Sequence, residues 1–135
     1  MGAMAEQGEQ GGGSSGGAVR VVVADDQAAF REVACGVIAE TPGLELVAAT
    51  DRVHRLPELV RDADALLLDV RMPGEDSLGM ALRLRDLQPQ LRVLLVSAES
   101  LEDIPDEVFD RGIGFLAKED LSPAALRAAI GVGVT

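Results

Sequence analysis

The 135-residue sequence has no tryptophan, no tyrosine, one cysteine and three phenylalanines. A single cysteine, Cys35, cannot form an internal disulfide, and such cysteine usage is typical of a protein of the cytosol. Because aromatic residues make up only 2% of the chain, valine, leucine, isoleucine and alanine must fill the interior. The hydrophobic fraction of 47% is that of a globular protein and not of a disordered one.

Basic residues are also scarce: 12 lysines and arginines stand against 23 acidic residues, and the formal net charge is -11. Binding to nucleic acid or to an anionic membrane needs clustered basic side chains, so neither is expected as a direct partner. The sequence also lacks an apolar run of membrane-spanning length and the charged-then-apolar order of a secretory signal. The acidic balance suits divalent cations and basic protein surfaces.

The chain divides into a tail and one domain. Residues 1–18 are rich in glycine, glutamine, serine and glutamate, which predicts a mobile tail, and the Gly-Ala-Met at its start resembles a cloning scar. Residues 19–135 are long enough for a single domain with an ordinary hydrophobic core.

Within this domain, apolar runs of strand length alternate with apolar stripes of helical spacing. The predicted strands are residues 19–24, 44–49, 65–69, 91–96 and 114–117. The first and last helical stripes are Phe30, Val33, Ala34, Val37 and Ile38, and Leu126, Ala129 and Ile130. Leu84 and Leu87 belong to the stripe of the third helix, and Leu101 to that of the fourth. Five strand-helix units in strict alternation predict an α/β fold, with a parallel sheet covered by helices on both faces.

Four of these strands end in polar residues: Asp25 and Asp26, Asp69, Ser97 and Lys118. Ligands of parallel sheets bind beyond the carboxyl ends of the strands, where these side chains would meet. Asp69 ends a continuous apolar run, where an unpaired carboxylate is costly unless it binds a cation. Alone it could merely cap a turn, but its coincidence with the other strand ends favours a functional site.

The same residues resemble the receiver domain of two-component response regulators. The resemblance is carried by Asp25-Asp26, by Leu68-Asp69-Val70-Arg71-Met72-Pro73-Gly74, by Val96-Ser97-Ala98 and by Phe115-Leu116-Ala117-Lys118. It covers residues 19–131 and is most similar to receivers that precede a helix-turn-helix output domain. It implies a doubly wound five-stranded parallel sheet of order 2-1-3-4-5, the flavodoxin-like receiver fold.

The resemblance also implies a chemistry, in which a histidine kinase transfers a phosphoryl group to an aspartate with Mg²⁺. Asp69 would be the phospho-acceptor. Asp26 would bind the metal directly and Asp25 mainly through a metal-bound water, and the main-chain carbonyl of Arg71 would be a further ligand. Three clustered acids are tolerable only with a cation among them.

Three further residues take roles from the resemblance. Ser97 would hydrogen-bond the phosphoryl group, Lys118 would pair with one of its oxygens, and Phe115 stands at the aromatic switch position. If Ser97 moved toward the phosphoryl group, Phe115 could enter the space that it leaves. Phe115 could equally be an ordinary core residue.

Other residues have simpler interpretations. Asp25-Asp26 could stabilise a helix N-terminus and Ser97 could cap a helix, although the strand-end set favours the roles above. Glu75 and Asp76 are expected to be solvated loop charges, and His54 an exposed helix residue. Pro105 should shorten or bend the fourth helix.

The sequence therefore predicts a cytoplasmic phosphorylatable receiver that controls an output, with transcription regulation expected, and not an enzyme. A sensor histidine kinase would be its partner. Whether two copies pair is left open by the sequence; a homodimer, if formed, would use the fourth helix, fifth strand and fifth helix, or the terminal helices. The alternative is a receiver-like interaction module that does not use phosphate. A small magnesium-dependent phosphatase is a weaker third interpretation, since Arg71 stands where that class has a second aspartate.

Overall fold

The computed structural model describes residues 17–99, 102 and 104–131. The predicted tail, apart from its last two residues, and Leu101, which was expected on the fourth helix, lie outside the described residues. In the described part of the chain, no helix combines the length and the apolar character needed to cross a membrane.

The five predicted strands are present and form one sheet. They are β1 (Val19–Ala24), β2 (Leu44–Thr50), β3 (Ala65–Asp69), β4 (Arg92–Ser97) and β5 (Gly114–Ala117). All neighbouring pairs are parallel, and the strand order is β2-β1-β3-β4-β5. The predicted α/β fold and its 2-1-3-4-5 order are confirmed.

Helices connect the strands. They are α1 (Ala28–Glu40), α2 (Leu56–Leu59) after a 3₁₀ turn at Val53–Arg55, α3 (Ser77–Leu87), α4 (Asp106–Asp110) and α5 (Pro123–Ile130). Ser122 caps α5 by accepting a hydrogen bond from the Ala125 N–H, with Pro123 as the first helical residue. Pro105 immediately precedes α4, which has only five residues, so the expected shortening is observed.

The two faces of the sheet pack against separate apolar clusters, because successive side chains of a strand point in opposite directions. Leu66 and Leu68 of β3 face the cluster completed by α2, α3 and α4. Ala65 and Leu67 face the cluster completed by α1 and α5. All five residues of β3 are buried, which explains its continuous apolar run.

Three residues of the predicted apolar stripes are exposed. Val33 is 55% exposed and Leu87 64% exposed, and Ala129 also faces solvent. Val33 and Ala129 each precede a buried helical residue by one position, which turns them about 100° away from the core. Leu87 is the last residue of α3. The prediction that these three residues are buried was wrong.

Candidate functional site

The carboxyl ends of four strands deliver the predicted side chains to one edge of the sheet. Asp69 and Ser97 are the last residues of β3 and β4, and Lys118 directly follows β5. Asp25 directly follows β1 and extends its pairing, since its N–H donates to the Thr50 carbonyl at 3.1 Å. The register pairs Asp69 with Val96 and Ser97 with Ala117, so adjacent strands end level with each other.

Three carboxylates meet at this edge. One oxygen from each of Asp25, Asp26 and Asp69 lies within 4.8 Å of the other two. Asp25 is fully buried, Asp69 is 4% exposed and Asp26 is exposed. At such separations each pair of negative charges repels by about 3 to 4 kcal/mol at an effective dielectric constant near 20. The cluster therefore needs positive charge.

Lys118, the only lysine of the chain, supplies part of that charge. Its Nζ lies 2.8 Å from Asp25 Oδ2 and 3.4 Å from Asp69 Oδ2, and its side chain is only 12% exposed. One ammonium thus bridges the two buried acids. A single positive charge cannot balance three carboxylates, so the edge remains acidic.

Asp69 responds to this environment. Burial raises the pKa of its carboxyl to about 6, with the hydrogen bond from the Arg71 N–H opposing the shift, the Asp25 charge adding to it and Lys118 opposing it. The Arg71 N–H donates to Asp69 Oδ1 at 3.1 Å, and the other oxygen, Oδ2, faces Lys118. A further cation beside Asp69 would favour its ionised form.

The donor set fits a hard divalent cation. Asp25 Oδ1 accepts a hydrogen bond from the Gln27 N–H at 2.8 Å, but its buried Oδ2 has no hydrogen-bond donor apart from the ion-pair contact with Lys118. Clustered carboxylate oxygens next to the open edge of a sheet are the ligands that Mg²⁺ prefers. The structure therefore contains an aspartate cluster that could hold a metal.

A cavity of about 110 Å³ opens beside these acids. Its walls include Asp69, Ser97 and Lys118, with Arg71 and Glu99 forming an ion pair of 2.6 Å. Ser97 is buried, and its Oγ accepts a hydrogen bond from the Glu99 N–H at 3.0 Å, which leaves its own proton to donate. A carboxylate, an ammonium and a hydroxyl thus face one small space.

Sequence reasoning missed two residues of this edge. Gln27 Oε1 lies 3.3 Å from the Lys118 ammonium, and the ring centroid of Phe30 lies 4.4 Å from it. Phe30 had been assigned to the buried stripe of α1, and it does pack against the α1–α5 cluster. Its position four residues after the acid pair was the available signal.

The expectation that Glu75 and Asp76 are solvated loop charges is confirmed for Asp76, which is exposed in the loop before α3, and was wrong for Glu75. Glu75 is half-buried, and its Oε1 accepts a hydrogen bond from the Val53 N–H at 2.7 Å. Asp76 caps α3 by accepting from the Gly79 N–H at 2.9 Å. Both carboxylates satisfy N–H groups that the first turn of a helix leaves without partners.

The remaining singled-out residues lie away from the cavity. Phe115 is half-buried on β5, paired in register with Leu95 and packed against the α2–α4 side of the sheet. His54 is exposed, as expected. Cys35 is half-buried on α1, and burial raises the pKa of its thiol while Arg31 opposes the shift.

The response regulator receiver domain model matches residues 21–131, which is most of the chain and all of the sheet except the first two residues of β1. The chain belongs to this family. A receiver domain of this kind is a module of two-component signalling. The match confirms the resemblance carried by the strand-end residues.

Individual relatives agree. A probable transcriptional regulatory protein, NarL, of Mycobacterium tuberculosis is 33% identical over 115 residues, which cover 83% of this chain and 53% of the relative. A protein-glutamate methylesterase/protein-glutamine glutaminase of Anaeromyxobacter dehalogenans is 39% identical over 93 residues, covering 67% of this chain and 25% of the relative. The chain thus spans about half or less of these curated relatives.

A solved structure gives the same result. The signal receiver domain of the response regulator NarL from Mycobacterium tuberculosis superposes with a TM-score of 0.70 and 35% sequence identity. The superposition covers 84% of this chain and 97% of that one. The flavodoxin-like receiver fold therefore extends over the described domain.

Proposed function

We propose that this receiver domain accepts a phosphoryl group on Asp69 from the phosphohistidine of a sensor histidine kinase. The observation that carries the proposal is the contact of one buried ammonium, Lys118 Nζ, with both Asp25 at 2.8 Å and Asp69 at 3.4 Å beside a small cavity. An acceptor carboxylate, a metal-binding acid pair and a compensating cation are the parts that phosphoryl transfer requires.

These contacts support the following transfer step. Asp69 Oδ2 attacks phosphorus, the phosphorus–nitrogen bond of the phosphohistidine breaks, and its electron pair stays on the imidazole, which takes up a proton. Asp69 becomes an acyl phosphate. Its Oδ1 is held by the Arg71 N–H at 3.1 Å, which orients Oδ2 toward Lys118. Lys118 then pairs with a phosphoryl oxygen, and the Ser97 hydroxyl donates to another.

Asp25, Asp26 and Asp69 would hold Mg²⁺, with the main-chain carbonyl of Arg71 as a further ligand. When bound, the ion supplies positive charge to the phosphoryl oxygens. The support from this chain is the donor set itself, in which three carboxylates cluster and one lysine contacts two of them. Without added positive charge, burial raises the pKa of Asp69 to about 6, so that a fraction of the carboxyl is protonated, and cannot attack, as the pH falls toward 6.

Phosphorylation would be read out at the surface formed by α4, β5 and α5. Ser97, buried at the end of β4, would turn toward the phosphoryl group, and the half-buried Phe115 would move inward from β5. This exchange is a two-position element that one local charge change can bias. Equal affinity of a partner for the phosphorylated and the unmodified domain would refute this proposal.

The relatives support a proposal for the output and partners of the whole protein. Because NarL of Mycobacterium tuberculosis is a probable transcriptional regulatory protein, we infer that this receiver controls transcription through a DNA-binding output domain, in the cytoplasm. The receiver itself would neither bind DNA nor act as an enzyme. Two copies would pair through α4, β5 and α5 or through the terminal helices, which sedimentation of the phosphorylated domain would test.

Phosphoryl transfer is tested directly by labelling. We expect incubation with phosphoramidate or acetyl phosphate and Mg²⁺ to add the mass of one phosphoryl group to the wild type and none to Asp69→Asn. Asp76→Asn is the matched control, because it removes a nearby exposed carboxylate and an asparagine still caps α3. Chelation of Mg²⁺ should abolish labelling of the wild type and the control.

Other outcomes would favour other functions. A wild type that binds its partner but is never labelled would indicate an interaction module that works without phosphate. Repeated turnover of external phosphoesters would indicate a phosphatase. Labelling that persists in Asp69→Asn would place the acceptor at another residue and contradict the proposal.

A further inference from the structure

The Lys118 ammonium is held by the start of α1 as well as by the acids. Gln27, the residue that precedes α1, places its Oε1 at 3.3 Å, and the ring centroid of Phe30 lies at 4.4 Å from the same Nζ. With Asp25 at 2.8 Å and Asp69 at 3.4 Å, the ammonium has three oxygens and one aromatic face around it. Phe30 is the apolar member of this group.

The ring can position the Lys118 ammonium because the end of β5 orders only the backbone of this residue. A lysine side chain has a flexible four-carbon stem, so its ammonium must be ordered by what surrounds it. The face of an aromatic ring attracts a cation, and more strongly where the cation is shielded from water. The Lys118 side chain is 12% exposed, so this contact lies near the strong end of the range.

We propose that Phe30 is a positioning residue for phosphoryl transfer, acting through Lys118. Its ring holds the ammonium between Asp25 and Asp69, where the arriving phosphoryl oxygen needs it. The inference rests on the proposed function of Asp69. Phe30 makes no bond to the reacting atoms. It orders the Lys118 side chain before the phosphoryl group arrives, so that less side-chain entropy is lost during the transfer.

The competing explanation is that Phe30 only packs. It is half-buried and contacts the apolar cluster of α1, α5 and the sheet, as an ordinary helix residue would. Leucine fills much of the same space but has no aromatic face, whereas tyrosine keeps the face. The two explanations therefore differ in what they predict for Phe30→Leu and Phe30→Tyr.

The test is the rate of Mg²⁺-dependent labelling by acetyl phosphate, followed by intact mass. We expect Phe30→Leu to slow labelling three- to tenfold, which is about 0.7 to 1.4 kcal/mol of transition-state stabilisation. Phe30→Tyr should stay within twofold of the wild type. Val37→Ala is the matched control, since Val37 packs against the same cluster from the same helix, and should leave the rate unchanged.

Two further measurements separate positioning from packing. In a Lys118→Met background, Phe30→Leu should have no additional effect on the rate. Because Lys118 is the only lysine, carbon-13 lysine labelling gives one set of ε-methylene signals. These signals should be shifted upfield by the ring in the wild type and in Phe30→Tyr, and lose that shift in Phe30→Leu.

The outcomes are distinguishable. A labelled wild type with an unchanged rate in Phe30→Leu, or with equal slowing in the Lys118→Met background, overturns this inference and leaves the proposed function intact. Equal slowing by Leu, Tyr and the Val37→Ala control also overturns it, because packing alone would explain that result. A wild type that is not labelled at all overturns the proposed function, and the inference falls with it.

Discussion

At the carboxyl end of the sheet, Asp25 and Asp69 are buried side by side with one ammonium between them. At the amino end, by contrast, arginines donate to main-chain carbonyls. Arg85 donates to the carbonyls of Arg111, Pro89 and Leu91 at 2.6 to 3.2 Å, and Arg92 donates to that of Ile130 at 2.7 Å.

The difference shows how one sheet divides stability and function between its ends. The arginines donate to carbonyls of loops and helix C-termini, and their charge complements the helix dipoles. The aspartates repel one another, and the buried Asp25 Oδ2 has no hydrogen-bond donor apart from its ion pair with Lys118. Substitutions of the arginines at the amino end should therefore destabilise the fold. Substitutions of the clustered aspartates should remove charge repulsion and stabilise it.

The largest effect is expected at Arg85. Its side chain donates to three carbonyls from two loops, so Arg85→Met should lower the free energy of unfolding by about 3 kcal/mol. Urea unfolding at neutral pH measures this. Arg83→Met on the exposed side of the same helix is the control and should change it by less than about 0.5 kcal/mol. Equal losses in the two variants would show that the carbonyl contacts carry no stability.

The next effect has the opposite sign. Without divalent cations, Asp69→Asn should be more stable than the wild type near pH 7, by about 2 kcal/mol. This figure takes 1.36 kcal/mol per pH unit for a pKa raised from 3.8 to about 6 and discounts it for screening at the open cavity. The substitution removes a carboxylate that burial and Asp25 disfavour.

The pH dependence of the stability difference tests whether ionisation of Asp69 is its cause. With its pKa raised, folded Asp69 holds its proton over the window between pH 3.8 and about 6, whereas the unfolded chain releases it. Wild-type stability should therefore fall, relative to Asp69→Asn, as pH rises through that window, and the difference should be constant above it. The comparison with Asp69→Asn isolates the carboxyl of Asp69 and its interaction with Asp25. A difference that does not change with pH would contradict the role of ionisation.

Mg²⁺ should offset part of the repulsion among the clustered carboxylates and so stabilise the folded wild type. A ligand at ten times its dissociation constant stabilises the folded state by about 1.4 kcal/mol. The wild type should gain this much, shown by an increase in its thermal midpoint, whereas Asp25→Asn should gain little. Asp76→Asn, with an acid outside the cluster, should respond as the wild type does. Equal stabilisation of Asp25→Asn and the wild type would place the ion elsewhere.

The sequence predicted the carboxyl end of the sheet better than the amino end. Asp69 and Ser97 follow apolar runs whose period identifies them as strands, and parallel strands must bring their ends together. The order of the strands came from the family resemblance, because alternation of strands and helices alone permits several orders. Arg85 gave no signal, since its acceptors are carbonyls that every residue type carries.

Contacts between distant side chains were also beyond local reasoning. The stripe containing Phe30 correctly predicted that it packs on the core, but nothing in α1 indicates that Lys118 would lie over its ring. Glu75 looked like a loop charge because its acceptor role depends on Val53, 22 positions away. Periodicity identifies which face of a helix is buried. It does not identify which residue of another element contacts that face.

The smallest predicted effect is at Glu75, whose carboxylate joins the loop after β3 to the turn that begins α2. Its Oε1 accepts from the Val53 N–H at 2.7 Å and is the acceptor for a first-turn N–H, so Glu75→Ala should cost about 1 kcal/mol in thermal or urea unfolding. Glu75→Gln keeps an acceptor oxygen and should lose less than half of that. If the two variants were equally destabilised, the negative charge of Glu75, and not its ability to accept a hydrogen bond, would be what stabilises this turn.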